Sequence, residues 1–245
     1  MNNNQLIQNN IENLTNLFKV MGAKQEEISN NKKLHLSDSW PNRLWMPYDY
    51  NKQDLQEAIN TDSKKEKSYV LSLWERDKEL FQESIKELES KEYKVLFEQI
   101  GMYLDLNATN IEENSDLEIK LANTKEEIKL WTKIASESFG YEIDVNIIEK
   151  IAEDENTYLL LAYKNGVAVA TTLLFENSSV MGVHLVGVPK EHRAQGIAEN
   201  IMKRAINLSK EKKIDIMVLQ ASLLGLGIYQ RLGFKQNFML RNYQK

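Results

Sequence analysis

The chain has 245 residues, with 31 Lys and Arg against 36 Asp and Glu, a net charge of −5, and no cysteine. This length allows one large domain or two small ones, and a hydrophobic fraction of 42% is enough to bury a core. The absence of cysteine excludes a disulfide scaffold, a cysteine-ligated metal site and a cysteine nucleophile. The net negative charge gives no electrostatic basis for binding nucleic acid.

Neither a metal site nor a membrane segment is expected from the sequence. The three histidines, His35, His184 and His192, are far apart along the chain, which disfavours a histidine-rich metal site. The first ten residues lack the positive and apolar regions of a signal peptide. The longest apolar stretch, 180–189, is far shorter than the roughly 20 residues that a membrane helix needs. We therefore expect a cytoplasmic protein that binds no metal, nucleic acid or membrane.

The first half of the chain predicts helices that alternate with short strands. Apolar residues at helical spacing predict a helix over 4–21, which Gly22 ends. The further predicted segments are an extended segment or strand at 40–50, a helix at 51–61, a strand at 68–74, a helix at 77–91 and one or two strands at 94–106. The polar segment 107–116 is the best candidate for a boundary, so we predict domains at 1–115 and 116–245.

The second half begins a new series of elements. Thr124 and Glu127 form the pattern of a capping box, which predicts the start of a helix. Asn165-Gly166 predicts a tight hairpin turn. Strands are expected at 117–122, 158–163, 167–175, 180–188, 214–220 and 234–243, and helices after Thr124 and at 144–153, 195–211 and 223–232. This order, β-α-α-β-β-β-α-β-α-β, predicts an α/β domain with helices packed on a mixed sheet.

The segment from Val186 to Ala198 carries the strongest chemical signal. A predicted strand ends there, and a short loop containing Arg193 leads through Gly196 into a helix. A helix N-terminus has unpaired N–H groups and a partial positive charge, so it binds anions. Gly196 has no side chain, so its backbone could approach a phosphate closely, and Arg193 would supply a fixed positive charge. Together these features suit a pyrophosphate.

The pattern Arg-x-x-Gly-x-Ala after a strand resembles motif A, Q/R-x-x-G-x-G/A, of the GNAT superfamily of acyl-CoA-dependent N-acyltransferases. A second segment, from Tyr229 to Phe234, is similar to the Y-x-x-x-G-F of that family. The resemblance covers roughly 117–245. It implies an α+β fold in which helices flank a mixed, mostly antiparallel sheet.

The resemblance also implies a site for acetyl-CoA as co-substrate, without a metal. In the family, the loop binds the pyrophosphate, the preceding strand pairs with the pantetheine arm, and the tyrosine protonates the departing thiolate. The implied binding residues are Val186, Gly187, Val188, Arg193, Ala194, Gln195, Gly196, Ile197, Ala198 and Tyr229. Tyr229 is the implied general acid, although it could also be a packing residue at the edge of an apolar stripe.

A general base is harder to identify. His184 is our candidate, because it shares a strand face with Val186 and Val188 provided that no bulge intervenes. The alternative is a histidine held in the sheet by hydrogen bonds. The weaker candidates for a role in the site are Glu176 and Glu142 as bases, His192 as a contact to CoA and Ser222 as a contact near the thiol.

The first half has no phosphate loop and is the more acidic, with 14 basic and 20 acidic residues in 1–115. Its order of elements weakly resembles that of the second half, so we predict either a degenerate GNAT-like domain or an unrelated helical α/β cap. Five aromatic residues could line a substrate cleft or could simply form a core: Trp40, Trp45, Tyr48, Tyr50 and Trp74.

The resemblance implies an N-acetyltransferase that moves an acetyl group from acetyl-CoA to a primary amine by direct attack in a ternary complex. The absence of cysteine is consistent with transfer that forms no covalent acyl-enzyme. The acceptor would be a small-molecule or peptide amine, and the protein a monomer or homodimer. The alternatives are a non-catalytic acyl-CoA-binding regulatory module and a partner-binding module.

Overall fold

The computed structural model describes residues 1–28, 33–37, 39–113 and 116–245. The helices of these residues are α1 Asn3–Val20, α2 Lys52–Ser63, α3 Lys78–Ser90, α4 Lys125–Phe139, α5 Val145–Ala152, α6 Ile197–Glu211 and α7 Leu226–Arg231. Their strands are β1 Lys24–Glu27, β2 Lys33–Leu36, β3 Arg43–Trp45, β4 Val70–Trp74, β5 Lys94–Asp105, β6 Glu118–Leu121, β7 Thr157–Lys164, β8 Val167–Asn177, β9 Val180–Gly187, β10 Ile216–Ala221 and β11 Lys235–Gln244. The predicted mixed, mostly antiparallel sheet with flanking helices is confirmed.

The first compact unit consists of 1–101, 221–223 and 236–245. Its strands follow the order β1-β2-β3-β4-β11. The neighbours are antiparallel except for β3 and β4, which are parallel and joined by α2. Gly101 lies directly under the ring of Phe238, where an added Cβ would come within 1.9 Å of the ring. The core of this unit is therefore completed by the end of the chain.

The second compact unit consists of 102–220 and 224–235. Its strands follow the order β10-β9-β8-β7-β6, with antiparallel neighbours except for the parallel pair β9 and β10. Trp131 of α4 is fully buried and donates from Nε1 to the Leu160 carbonyl at 3.0 Å, which anchors α4 on β7. This anchoring places the end of α4 beside the end of β9.

The division into these units differs from the predicted boundary. Residues 102–113 lie with the second unit, where Asn207 and Lys210 of α6 donate to the backbone carbonyls of Ile111 and Thr109. The last strand, β11, lies with the first unit because Leu240 pairs opposite Trp74 of β4. Residues 114 and 115, next to the predicted boundary, lie outside the described residues. The domains 1–115 and 116–245 stay a prediction.

The described helices and strands agree closely with the sequence pattern. The capping box of Thr124 and Glu127 opens α4 as predicted. The strand expected at 214–220 is β10, which runs parallel to β9, and the segment 94–106 forms a single strand, β5. Strands β1 and β2 were not predicted. Among the described residues, no helix is long and apolar enough to cross a membrane.

The two halves of the chain repeat one order of elements. In the first, α1 is followed by three antiparallel strands, β1 to β3, and then by α2 and β4, where β4 pairs in parallel with β3. A further helix and strand, α3 and β5, complete the order. The second gives the same order from α5 to β11. In this alignment, α2 of the first unit corresponds to α6 of the second.

Candidate active site

The loop between β9 and α6 leaves the N-terminus of α6 without a side-chain cap. After β9 the chain makes a 3-10 turn at Lys190–His192, and two residues with positive φ follow, Ala194 at 59° and Gly196 at 74°. Gly196 is the N-cap of α6, and no side chain of the described residues makes a capping hydrogen bond there. Because the first N–H groups of a helix have no partner within the helix, this exposed end presents free donors and a partial positive charge.

The side chains of the loop hold the loop itself. Arg193 donates from Nε to the Val188 carbonyl at 2.9 Å and from Nη2 to the Ser138 carbonyl at 2.8 Å. Gln195 accepts a hydrogen bond from Lys164 Nζ at 3.3 Å. Sequence reasoning assigned Arg193 to the phosphate, whereas the structure directs two of its donors to backbone carbonyls.

Strands β9 and β10 pair only over part of their length. Their parallel register joins Val180–Val183 to Ile216–Leu219 and pairs no residue beyond Val183. The antiparallel pairing of β9 with β8 continues as far as Gly187 opposite Thr171. Just before the loop, in the segment that contains Val186, Gly187 and Val188, the edge of β9 that faces β10 therefore has no strand partner among the described residues.

A bulge in β9 changes the expected position of His184. His184 pairs with Leu173 and Gly187 with Thr171, so β9 contains one extra residue, and Leu185 has a positive φ of 51°. Gly187 thus lies on the face of His184. The premise that His184 shares its face with Val186 and Val188 was wrong, because the bulge shifts the alternation of side chains by one residue.

The face of His184 is covered by α4, and the side chain is only 8% exposed. An added Cβ at Gly187 would lie 2.8 Å from Cβ of Ser138, so the end of α4 packs directly on this face. Burial lowers the pKa of His184 to about 3. A base with so low a pKa removes protons poorly near neutral pH. This environment favours the structural alternative for His184.

Tyr229 lies on α7, where it is half-buried and makes an edge contact with Phe234 at a ring-centroid distance of 5.8 Å. Its hydroxyl makes no hydrogen bond with the described part of the chain. Burial raises its pKa to about 12. The phenol therefore keeps its proton throughout the neutral range, as a general acid must.

An ion pair that sequence reasoning missed joins α7 to the first turn of α6. Arg231 donates from Nη2 to Glu199 Oε2 at 3.1 Å and from Nε to the same oxygen at 3.2 Å. Lys203 lies 3.6 Å from the other oxygen of Glu199. The three residues border a cleft of about 710 Å³. The two helices are far apart in sequence, so no local pattern could have indicated this contact.

The weaker candidates show no common site. Glu176 accepts from the Tyr158 hydroxyl at 3.3 Å and lies 3.9 Å from Lys212, as a surface ion pair does. Glu142 and Ser222 are exposed, and His192 is half-buried in the 3-10 turn. Within the described ranges, no group of three or more potential ligand side chains is placed to hold a metal ion.

The corresponding helix of the first unit, α2, is capped at its N-terminus by the side chains of Asn51 and Asp54. Asn51 Oδ1 accepts from the N–H groups of Gln53 and Asp54 at 2.8 and 3.1 Å. Asp54 Oδ2 in turn accepts from the Asn51 N–H at 2.8 Å. A carboxylate and an amide thus occupy the donors that a phosphate would need, and the carboxylate also repels it.

Three of the five aromatic residues singled out in the first half lie in its core. Trp45, Tyr50 and Trp74 are exposed by 2%, 1% and 1%, so they line no open cleft. Trp40 and Tyr48 are half-buried.

Residues 120–241 match the family model of the GNAT acetyltransferase domain. The second half of the chain belongs to the GNAT superfamily. It is an acetyltransferase domain, and GNAT enzymes use acetyl-CoA as co-substrate and act on amines. The motif that identified the family from the sequence, Arg193 to Ala198, lies within the matched range.

Solved structures share this GNAT fold over most of the chain. A GCN5-related N-acetyltransferase from Kribbella flavida is 17% identical with a TM-score of 0.70, over 98% of this chain and 94% of that one. One from Sphaerobacter thermophilus is 14% identical with a TM-score of 0.66, over 87% and 76%. A tandem GNAT protein from the clavulanic acid biosynthesis pathway is 10% identical with a TM-score of 0.59, over 89% and 80%. At these identities the likeness concerns the fold alone.

Proposed function

We propose that the chain transfers an acetyl group from acetyl-CoA to a primary amine of a small molecule or peptide, by direct attack in a ternary complex. One observation carries this proposal: in the described part of the chain, the uncapped N-terminus of α6 lies directly after the segment of β9 that has no strand partner on its β10 side. The open helix end fits a pyrophosphate, and the unpaired edge fits an extended chain of amide groups.

In this proposal the backbone N–H groups of the loop bind the pyrophosphate. The donors come from Ala194, Gln195, Gly196, Ile197 and Ala198. A helix N-terminus stabilises an anion by charge and by hydrogen bonding at once. The pantetheine arm then pairs with the free edge of β9 at Val186 and Val188, and the N–H groups there polarise the thioester carbonyl.

Tyr229 is the proposed general acid. The amine nitrogen bonds to the thioester carbon, the carbon–sulfur bond breaks, and the Tyr229 hydroxyl donates its proton to the leaving sulfur. The phenol holds the proton for this step throughout the physiological pH range, because burial raises its pKa to about 12. The amine attacks in its neutral form and gives its proton to water, since His184 is buried under α4 and is a poor base.

We further propose that the first half is a degenerate GNAT-like domain. The repeated order of elements supports a common origin of the two halves. The closed start of α2 supports the loss of a cofactor site, because Asn51 and Asp54 take the place of a phosphate.

The decisive experiment is a screen of primary amines with acetyl-CoA, in which free CoA thiol is measured as it is released. Turnover on at least one amine class is the expected result. If CoA raised the melting temperature while no amine supported turnover, the chain would be a non-catalytic acyl-CoA-binding regulator. If CoA had no effect on the melting temperature, the proposal would be wrong altogether.

A further inference from the structure

The side chain of Arg193 connects three parts of the second unit. The residue itself belongs to the loop, its Nε donates to Val188 just beyond the end of β9, and its Nη2 donates to Ser138 in the last turn of α4. Both distances, 2.9 and 2.8 Å, are those of charge-assisted hydrogen bonds. We call this arrangement, Arg193 with Val188 and Ser138, the arginine brace.

The position of the brace at α4 has an electrostatic advantage. The last four carbonyls of a helix lack partners within the helix and carry a partial negative charge. Ser138 supplies one of these carbonyls, because α4 ends at Phe139 and is capped by Gly140. A guanidinium placed there satisfies the carbonyl and the helix dipole, so the positive charge of Arg193 is already partly neutralised by the protein.

The brace crosses a junction that is tightly packed. A Cβ at Gly187 would come within 2.8 Å of Ser138 Cβ and 3.0 Å of Thr171 Oγ1, so only glycine allows α4 to approach β9 this closely. Ser138 is itself buried. The end of α4 is therefore a fixed support from which Arg193 can hold the loop.

The loop needs such a support because its backbone is strained. Ala194 adopts a φ of 59°, which costs a residue with a side chain about 1 kcal/mol or more. Strained residues persist where the surroundings over-determine their conformation. Arg193 directly precedes Ala194, so the brace fixes the chain at the point where the strained turn begins.

We propose that Arg193 is a positioning residue for the cofactor loop: its planar fork holds the loop in the conformation that aims the N–H groups at the pyrophosphate. The inference rests on the proposed function for what the loop binds. The motif alone suggests that Arg193 acts through its positive charge. We propose instead that Arg193 acts through the geometry of its guanidinium.

The test compares Arg193→Lys with Arg193→Ala. Lysine keeps the charge but cannot donate to both carbonyls as the fork does. We expect both variants to weaken CoA binding about tenfold or more, as the loss of one or two charge-assisted hydrogen bonds predicts. The KM for acetyl-CoA should rise while kcat at saturating acetyl-CoA stays within about twofold. Added guanidinium, against NaCl of equal ionic strength, should restore affinity in the alanine variant.

A second measurement needs no ligand. Amide hydrogen exchange over 189–198 in the free protein should accelerate about tenfold or more in both Arg193 variants, because an unbraced loop opens more often. Lys190→Met is the matched control. Its side chain is a cation of the same loop with no hydrogen bond or ion pair to the described residues, so exchange should stay at the wild-type rate.

The outcomes separate the brace from the proposed function. If Arg193→Lys kept wild-type affinity and wild-type exchange, the charge would matter and the positioning role would be refuted. If the wild-type protein did not bind CoA, the proposed function would fail. The exchange rates of the free protein would still decide whether Arg193 holds the loop.

Discussion

At the scale of single residues, Tyr229 carries the most specific chemical prediction. Tyr229→Phe removes only the hydroxyl and keeps the ring contact with Phe234. We expect kcat to fall about 100-fold, the lower end of the usual contribution of a general acid, with CoA affinity unchanged. Steady-state kinetics and calorimetric titration with CoA measure the two effects.

Tyr163→Phe on β7 is the control for this experiment, since it removes a phenol outside the site and should leave kcat unchanged. The pH profile adds a further check. Because the pKa of Tyr229 is raised to about 12, deprotonation of this residue should cause no loss of kcat below about pH 10. An unchanged kcat in Tyr229→Phe would remove Tyr229 from the mechanism.

His184 predicts a dependence of stability on pH. Its pKa falls from 6.5 in the unfolded chain to about 3 in the fold, where burial disfavours the charged imidazole. Between pH 6.5 and pH 3, His184 therefore binds a proton in the unfolded chain but not in the folded chain. Stability is lost as the pH falls towards 3, by up to about 1.4 kcal/mol per pH unit from this residue.

The measurement is the free energy of unfolding in urea at pH 7 and pH 5. His184→Gln should reduce the difference between the two values, although the variant is less stable at pH 7. His35 contributes in the same direction, because burial first, then Lys19 and Lys33, lower its pKa to about 4. A difference that did not change in His184→Gln would show that His184 is not buried as described.

At the scale of elements, the start of α6 depends on the backbone of Gly196. Its φ of 74° costs alanine roughly 1 kcal/mol. Gly196→Ala should lower the free energy of unfolding by about that amount and weaken CoA binding, because the loop relaxes away from the open geometry. Gly227→Ala in α7, where φ is not positive, should be neutral or stabilising. Equal effects of the two substitutions would contradict this account.

The elements that the sequence predicted best are those in which apolar residues recur with a clear period or form a continuous run. Apolar spacing and the capping box of Thr124 and Glu127 located α4, and a run of apolar residues located β10. Strand β1 escaped prediction because its four residues, Lys24–Glu27, are all polar. It pairs with β2 through its backbone, and side-chain periodicity does not report that pairing.

The site was predictable where a local motif defines it, and not where long-range pairing does. Gly196 and the loop follow from a pattern of six residues. The bulge at Leu185, which separates His184 from the face expected for it, depends on the register between β8 and β9. The ion pair of Glu199 with Arg231 and the bond from Arg193 to Ser138 join distant segments. The sequence around these residues indicates neither contact.

At the scale of the whole molecule, the last strand is essential to the first unit. Phe238, Leu240 and Tyr243 of β11 are buried there. Their loss would cost on the order of 6 kcal/mol of apolar burial, which is comparable to the whole stability of a small domain. Removal of residues 236–245 from the full chain should therefore unfold the first unit.

Hydrogen exchange at β4, Val70–Trp74, measures this effect directly, because β4 pairs with β11. We expect its amides to lose their protection in the shortened chain. Removal of Lys245 alone, beyond the end of β11, is the control and should leave them protected. Protected amides in the shortened chain would mean that the first unit is stable without its last strand.

The placement of β11 also sets an order of events during synthesis. Domains generally fold on the ribosome as they emerge, with the N-terminal one first. Here the residues made first cannot finish their sheet until 236–245 have emerged. Until then the edge of β4 is open, and an open strand edge invites pairing with other chains. The unit that is made first is thus the one completed last, so a chaperone that protects the nascent chain would act longest on the first half.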